Sequence, residues 1–569
     1  MHHSNYETLA DALLELLAQR GVELFLANPG TDFVSLIDAF AKRENKGLMH
    51  PKPLAVAHET AVMTMAHGYY LATGKPAAVM VHVGIGTANA LAPLMAASRA
   101  NVPVIFMAGR TPVTQSGHPA SRSSYIHWGQ DVYDQTAPIR EWVKWDYELK
   151  RPEDLASVID RAVSVAMAEP KGPVCLTLAR EILYDPPAEM DMTPASRLGL
   201  PTQPPDPDQI AQAAQWLAQA AKPLIITSSV GRNSEAVGEL AALAKACGAG
   251  VVSFNAEYLN LPRSHPCFQG FFPDPLLSEA DLVIALECPT PWYPNTIRPD
   301  AESKLIHIGI DPLYTRVPIR QFPSDLTIQA DPARSLKALT SAIEASPDLD
   351  RGAVGKRLEA LAANNLKLNT DWAAMAEQGA AASPLSPMWI SSVIGRMVES
   401  DWVLFNEYDN AMPPFAPDRR GRYFCVPQAG FLGWSPGAAL GYKLGRPESN
   451  VIVTVGDGSY LFGAPSPCHL FSRTNNLPIL TVIYNNSGYN AVRRATQMIH
   501  PDGAAVKSGQ IPLTDLGDTA NLHRLVEAFG GYGEMVDSSE DLAPALDRAL
   551  NEVVNKGRQA VLNVMTAKK

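Results

Sequence analysis

The sequence predicts an α/β chain built from three doubly wound parallel-sheet units. Three observations carry that expectation. Short apolar runs alternate with helical stretches from end to end, as βαβ crossovers require. The alternation is interrupted by a proline-rich stretch near 185–208 and by an alanine-rich helical one near 345–388, which divide the 569 residues into similar thirds. In "VIVTVGDGSYLFGAPSPCHLFSRTNNLPILTVIYNNSGYN" (451–490), Gly-Asp-Gly follows one strand-like run and Asn-Asn follows the next.

The first unit is expected over 1–185. It opens with an amphipathic helix in "MHHSNYETLADALLELLAQRG", starting near Asn5 or Thr8. Strands follow in "VELFLANPG", "PLAVAHE", "AAVMVHVG", "VPVIFMAG" and "GPVCLTLA". The second unit, 205–345, offers "KPLIITSS", "AGVVSFN", "DLVIALE" and "KLIHIGID". The third, 385–569, holds "DWVLFNE", the 451–490 motif and "QAVLNVMT". Each run is short, rich in β-branched residues and bounded by breakers, the signature of buried parallel strands. Within the motif, Val451–Val455 and Leu477–Tyr484 read as strands and Ser466–Asn475 as the crossover helix. Asp457 and Asn486 then share the carboxyl edge of one sheet, where open α/β sheets bind ligands.

Composition narrows the partners. A net charge of −11 argues against nucleic acid and anionic membrane. Six scattered cysteines make neither a disulfide framework nor a zinc site, and read as reduced thiols of a cytoplasmic protein. The N-terminal stretch lacks the features of a signal peptide, and no apolar run reaches membrane-spanning length.

One carboxylate and one amide are too few ligands for a free divalent cation. Magnesium takes about six oxygens and usually draws some from substrate phosphates. Gly456 and Gly458 allow close backbone approach, and the amides around Ser459 can face an anion. The physical reading is a metal bridged to a diphosphate through Asp457, Asn486 and a backbone carbonyl near Gly488. The alternative is two unrelated turns.

In order along the chain, "NPGT", "HET", "GTANA", "VKW", "HPCFQG", "AGFLGW", GDGSY and NNSGY resemble the motifs of thiamine-diphosphate enzymes in the pyruvate-oxidase and decarboxylase group. The chain is most similar to the benzoylformate decarboxylase type, with acetolactate synthase close behind. The resemblance implies the thiamine-diphosphate-binding fold with a Rossmann-like middle domain, and thiamine diphosphate and Mg2+ as cofactors. The first unit would hold the pyrimidine and the third the diphosphate. It implies that Glu59 contacts a pyrimidine nitrogen, a task that suits a carboxylate among apolar neighbours; read without it, Glu59 is a glutamate opening a helix. Leu432 matches the bulky residue over which the cofactor bends, Gly430 the carbonyl facing the aminopyrimidine, and Gly458, Ser459 and Tyr489 the diphosphate contacts. His82 matches a histidine that protonates intermediates, work suited to a side chain titrating near neutrality. Thr31 matches a serine that touches the substrate carboxylate, and a helix cap is its alternative role. His127, Trp128 and Gln130 fall at pocket positions, with Gln130 similar to the acetolactate type.

The sequence also departs from that pattern. Pro294, beside Trp292 and Tyr293, stands where the decarboxylase has a second histidine. Asp409 and Asn410 replace small hydroxyl residues near the diphosphate, and Pro465 and Pro467 break into the helix after GDGSY. Arg493 and Arg494 can reach an anion or remain solvated. The expected activity is decarboxylation of a 2-oxo acid, with capture of the product by an aldehyde as a variant. The alternatives are an acetolactate-synthase-like carboligase, a 2-hydroxyacyl thioester lyase and a non-catalytic scaffold. A homo-oligomer is implied, a dimer at least and usually a tetramer, acting on a small 2-oxo acid or aldehyde.

Overall fold

The computed structural model describes residues 6–194, 200, 202–408 and 420–567. Three parallel sheets account for the strands. The first contains β1 (Leu24–Asn28), β2 (Lys52–Ala55), β3 (Ala77–Val81), β4 (Val104–Arg110), β5 (Asp146–Leu149) and β6 (Val174–Ala179), in the order β2-β1-β3-β4-β6-β5. The second contains β7 (Pro223–Thr227), β8 (Gly250–Ser253), β9 (Leu282–Leu286), β10 (Lys304–Gly309) and β11 (Leu326–Gln329), ordered β11-β10-β9-β7-β8. The third contains β12 (Val403–Glu407), β13 (Tyr423–Cys425), β14 (Val451–Gly456), β15 (Leu480–Asn485), β16 (Tyr532–Val536) and β17 (Ala560–Met565), ordered β13-β12-β14-β15-β17-β16. The first and third sheets thus have one strand order, and the expected α/β class with parallel sheets holds.

Every run named from the sequence is a strand. The strands that sequence reading missed are β5, β11, β13 and β16, each at a sheet edge. β5, β11 and β16 are only part-buried and β13 is three residues long, so none shows a long apolar run, whereas the edge strands β2 and β8 do. Boundaries inside the 451–490 motif also shift. β15 begins at Leu480, not Leu477, because Asn476 turns the chain at φ 53° and Leu477 still donates its N–H to Ser472 O. The crossover helix is Pro465–Thr474, so Pro465 opens it at the position where no N–H is required. Thr8 caps the first helix, Leu9–Gln19, in a capping box with Asp11, while Asn5 lies outside the described residues.

The alanine-rich stretch after the second sheet is one long helix, Arg351–Gln378. It lies against the middle unit: Arg357 donates to Cys247 O, and Asn365 donates to Arg263 O and Phe268 O. The outer units meet through two helices, Glu59–Thr73 after β2 and Trp434–Gly445 after β13. Glycines allow this approach. A Cβ on Gly68 would lie 1.8 Å from Ala438 O, one on Gly437 1.9 Å from Thr64 Oγ1, and one on Gly441 1.9 Å from Met65 O. Around this seam Val62, Met65, Ala438 and Leu440 join a single buried cluster that includes β3, β4, β12 and β14 side chains.

Candidate active site

At the carboxyl edge of the third sheet, β14 runs directly into the short helix Asp457–Phe462, and β15 into Asn486. Asp457 is buried, its Oδ2 accepts the Gly488 N–H at 2.9 Å, and burial raises its pKa. Asn486 is also buried, and its Oδ1 has no hydrogen-bond partner among the described residues. Ser487, the next residue, takes a left-handed φ of 54°. An orphaned buried acceptor costs about 1–3 kcal/mol, so this oxygen is set for a partner from outside the chain. Among the described residues no group of three or more His, Cys, Asp or Glu side chains could hold a metal. An Asp and an Asn oxygen therefore fit a cation that brings further ligands with it.

These residues border a cleft of about 360 Å³, lined by Leu432, Gly456, Gly458, Ser459, Gly488 and Tyr489 among others. Gly458 lies so close to Tyr489 that a Cβ there would be 2.8 Å from the ring. Leu432 is 37% exposed, at the wall of this cleft. Sequence reading missed the group that holds the chain just after Leu432. Buried Glu407, at the end of β12, accepts Gly433 N at 2.5 Å, Ser435 N at 2.9 Å and Ser435 Oγ at 2.7 Å. A carboxylate ending the apolar run "DWVLFNE" was the available signal. Gly430 does not line the cleft; it turns the chain at φ 69°, with its N–H on Pro427 O. Asp409 and Asn410 lie outside the described residues. Arg494 borders the cleft, whereas Arg493 donates to Thr514 Oγ1 at 3.3 Å.

The first sheet presents a different set. Glu59 is 5% exposed and is the first residue of its helix rather than a strand-end residue, with His58 as the cap. Asn89 Nδ2 donates to Glu59 Oε2 at 3.2 Å. His82 follows β3 and precedes the helix Val83–Arg99. Its Nδ1 lies 2.6 Å from Oδ1 of buried Asp32, and its Nε2 lies 3.2 Å from Gln130 Nε2. The Asp32 hydrogen bond raises the His82 pKa against the opposing effect of burial. Thr31 is exposed and begins a 3-10 turn after Gly30, so it caps no helix by its side chain. His127 is buried, accepts Ser123 N through Nδ1, and has its pKa lowered by burial and by nearby Arg180 and Arg122. Trp128 is exposed, under the Arg122 guanidinium. In the middle unit Tyr293, next to Pro294, donates its hydroxyl to Asn255.

Three family models match the chain in succession. They are the N-terminal binding domain of thiamine pyrophosphate enzymes over 7–137, the central domain over 210–339 and the C-terminal binding domain over 411–564. The chain is a thiamine-diphosphate enzyme.

Among curated relatives, benzoylformate decarboxylase of Pseudomonas aeruginosa is 26% identical over 506 residues, covering 86% of this chain and 87% of the relative. The large subunit of acetolactate synthase isozyme 3 of Escherichia coli is 23% identical over 578 residues, covering 96% and 92%. Among solved structures, benzoylformate decarboxylase of Polynucleobacter necessarius superposes with a TM-score of 0.79 at 22% identity over 99% of each chain. This thiamine-diphosphate enzyme therefore falls in the benzoylformate decarboxylase and acetolactate synthase group. None of its described helices is long and apolar enough to cross a membrane.

Proposed function

We propose that this enzyme decarboxylates a 2-oxo acid with thiamine diphosphate and Mg2+. The observation that carries the reading is His82, held by Asp32 at a sheet edge as a proton source. In this reading Asp457 and Asn486, with a carbonyl at Gly488, hold the metal, and Gly456, Gly458, Ser459 and Tyr489 border the diphosphate. Leu432 would pack against the coenzyme, and Gly430, outside the cleft lining in a single copy, would offer it a backbone carbonyl. When bound, the coenzyme supplies an electron sink next to the oxo carbon. Glu59 holds a proton at the pyrimidine nitrogen, away from bulk water. Thr31 orients the substrate carboxylate by hydrogen bonding, and His127 and Gln130 border the substrate. His82 then donates a proton at the carbon that carbon dioxide has left.

The site is shared between two copies of the chain in this reading. Among described residues the cleft is lined from 407–494 alone, without Glu59 or His82. A homo-oligomer, at least a dimer, supplies the first-unit residues from a second copy. Cytoplasmic residence belongs to the same reading.

Gln130 is the feature that favours an acetolactate-synthase-like carboligase instead. Its amide lies against His82, which ties it to proton handling. For the thioester-lyase alternative, Arg232 of "SSVGRNSE" is the cation the middle unit offers in that stretch, and it is half-buried and paired with Glu169 at 3.2 Å and Glu287 at 3.4 Å. Purified protein with thiamine diphosphate, Mg2+ and a panel of aromatic and aliphatic 2-oxo acids tests the proposal. Release of carbon dioxide with a stoichiometric aldehyde is expected; acetolactate from pyruvate with little aldehyde selects the carboligase. No turnover on any oxo acid overturns both.

A further inference from the structure

The pair at the end of β3 is more heavily built than a chance contact. Asp32 comes from the turn after β1 and is buried, while the His82 side chain keeps 21% of its surface exposed. Both carboxylate oxygens have partners: Oδ1 faces His82 Nδ1 at 2.6 Å and Oδ2 accepts the Val83 N–H at 3.4 Å. Val83 has a φ of 31°, a costly conformation for a β-branched residue. The surroundings have been kept free of side chains. A Cβ on Gly30 would lie 2.1 Å from His82 Nδ1, and one on Gly109 would lie 1.5 Å from Asp32 Oδ2. Two glycines and one strained residue are thus required for this single contact. On the other side of the ring, Gln130 Nε2 faces His82 Nε2 at 3.2 Å, while Gln130 Oε1 is buried with no partner among the described residues.

We propose that Asp32 is the positioning residue of His82, fixing its Nδ1–H tautomer and ring orientation, and that Gln130 follows the proton at Nε2. A carboxylate accepts only, so the hydrogen in the Asp32 contact belongs to Nδ1. In the neutral ring Nε2 then carries the lone pair and accepts from the Gln130 amide. When Nε2 takes a proton from hydronium, leaving water, it becomes a donor. A half-turn of the Gln130 amide then brings the unpartnered Oε1 to meet it. The proton leaves Nε2 for the bond pair left behind by carbon dioxide, and the ring returns to neutral with Nδ1–H unchanged. The other titratable groups facing the ring are Glu59, which favours the protonated form, and His127, which feels the His82 charge as repulsion.

The inference rests on the proposed decarboxylation for its final step, but its core can be read without turnover. In protein labelled with 15N-histidine, with the His82 signal assigned through His82→Gln, the high-pH form is expected as the Nδ1–H tautomer. Its titration midpoint should fall by about 1 pH unit in Asp32→Asn and by less in Gln130→Met. If an oxo acid is turned over, Asp32→Asn should lower kcat by about 10- to 1,000-fold, shift the pH profile with the midpoint and leave coenzyme affinity within about twofold. An Nε2–H tautomer in the unmutated protein overturns the proposal even if Asp32→Asn does not fold. An unshifted midpoint in a folded Asp32→Asn overturns it too, and an unshifted midpoint in Gln130→Met removes the glutamine from it. If no oxo acid reacts, the proposed activity fails while the tautomer and midpoint still decide the pairing.

Discussion

In both outer units the strand at the third place of the sheet order runs straight into a candidate site residue: β3 ends before His82, and β14 before Asp457. Beside each lies a non-glycine residue with positive φ, Val83 after His82 and Ser487 after Asn486. The frames match, but the surroundings of the key groups differ. The first unit pairs its histidine with a buried carboxylate, so a proton is held inside the protein. The third leaves an amide oxygen without a partner among the described residues beside a carboxylate, a pair suited to a cation from outside. In the proposed function one sheet topology serves acid–base work on one side and ligand capture on the other, and the side chains at the strand ends decide which.

The largest expected effect tests the acid–base side. Glu59→Gln should slow turnover by about 100- to 10,000-fold while the dissociation constant of thiamine diphosphate, read by calorimetry, moves only a few-fold. A comparable loss of binding would erase the division of labour between the two units. Asp457→Ala should do the reverse and weaken Mg2+-dependent coenzyme binding by about 100-fold or more. Circular dichroism should remain unchanged, and unaltered affinity would remove the third unit's role. A smaller effect is expected at the seam that sets the two units against each other. Gly441→Ala should destabilise by about 1–3 kcal/mol through backbone collision. Gly355→Ala, in a helix with no described atom within 4 Å of the new methyl, should stabilise by up to about 1 kcal/mol. Melting temperatures that move together would show the seam to be slack.

The mildest effect concerns the middle unit's bond to the third. Glu257 accepts Gln428 N, and burial raises its pKa from 4.5 to about 7. A carboxyl with a raised folded pKa contributes stability that is complete below 4.5 and lost as pH rises through about 7. Glu257→Gln should flatten urea-unfolding stability across that window; an unchanged slope would place the titration elsewhere.

Central strands and the Asp457–Asn486 edge were legible because buried parallel strands leave unbroken apolar runs, and breakers mark where they stop. The part-buried edge strands β5 and β16 leave no such trace. Thr31 drew notice in the sequence while its neighbour Asp32 did not, because what distinguishes Asp32 is a contact with a residue fifty positions away. Glu407 was hidden for the same reason: its partners Gly433 and Ser435 lie beyond a long intervening segment. Gly30, Gly109 and Gly441 look like any other glycines until the neighbouring backbone or side chain is in place.

Where the Glu59 and Trp434 helices cross, main chain touches main chain at Gly68 and Gly441, and Gly437 makes room for the Thr64 side chain. Long side chains can slide over one another by changing rotamers, but a carbonyl set against a bare α-carbon has no rotamer to change. Neither helix can shift by a turn without driving methyl groups into peptide oxygens. The junction between the outer units therefore works as a weld and not as a hinge.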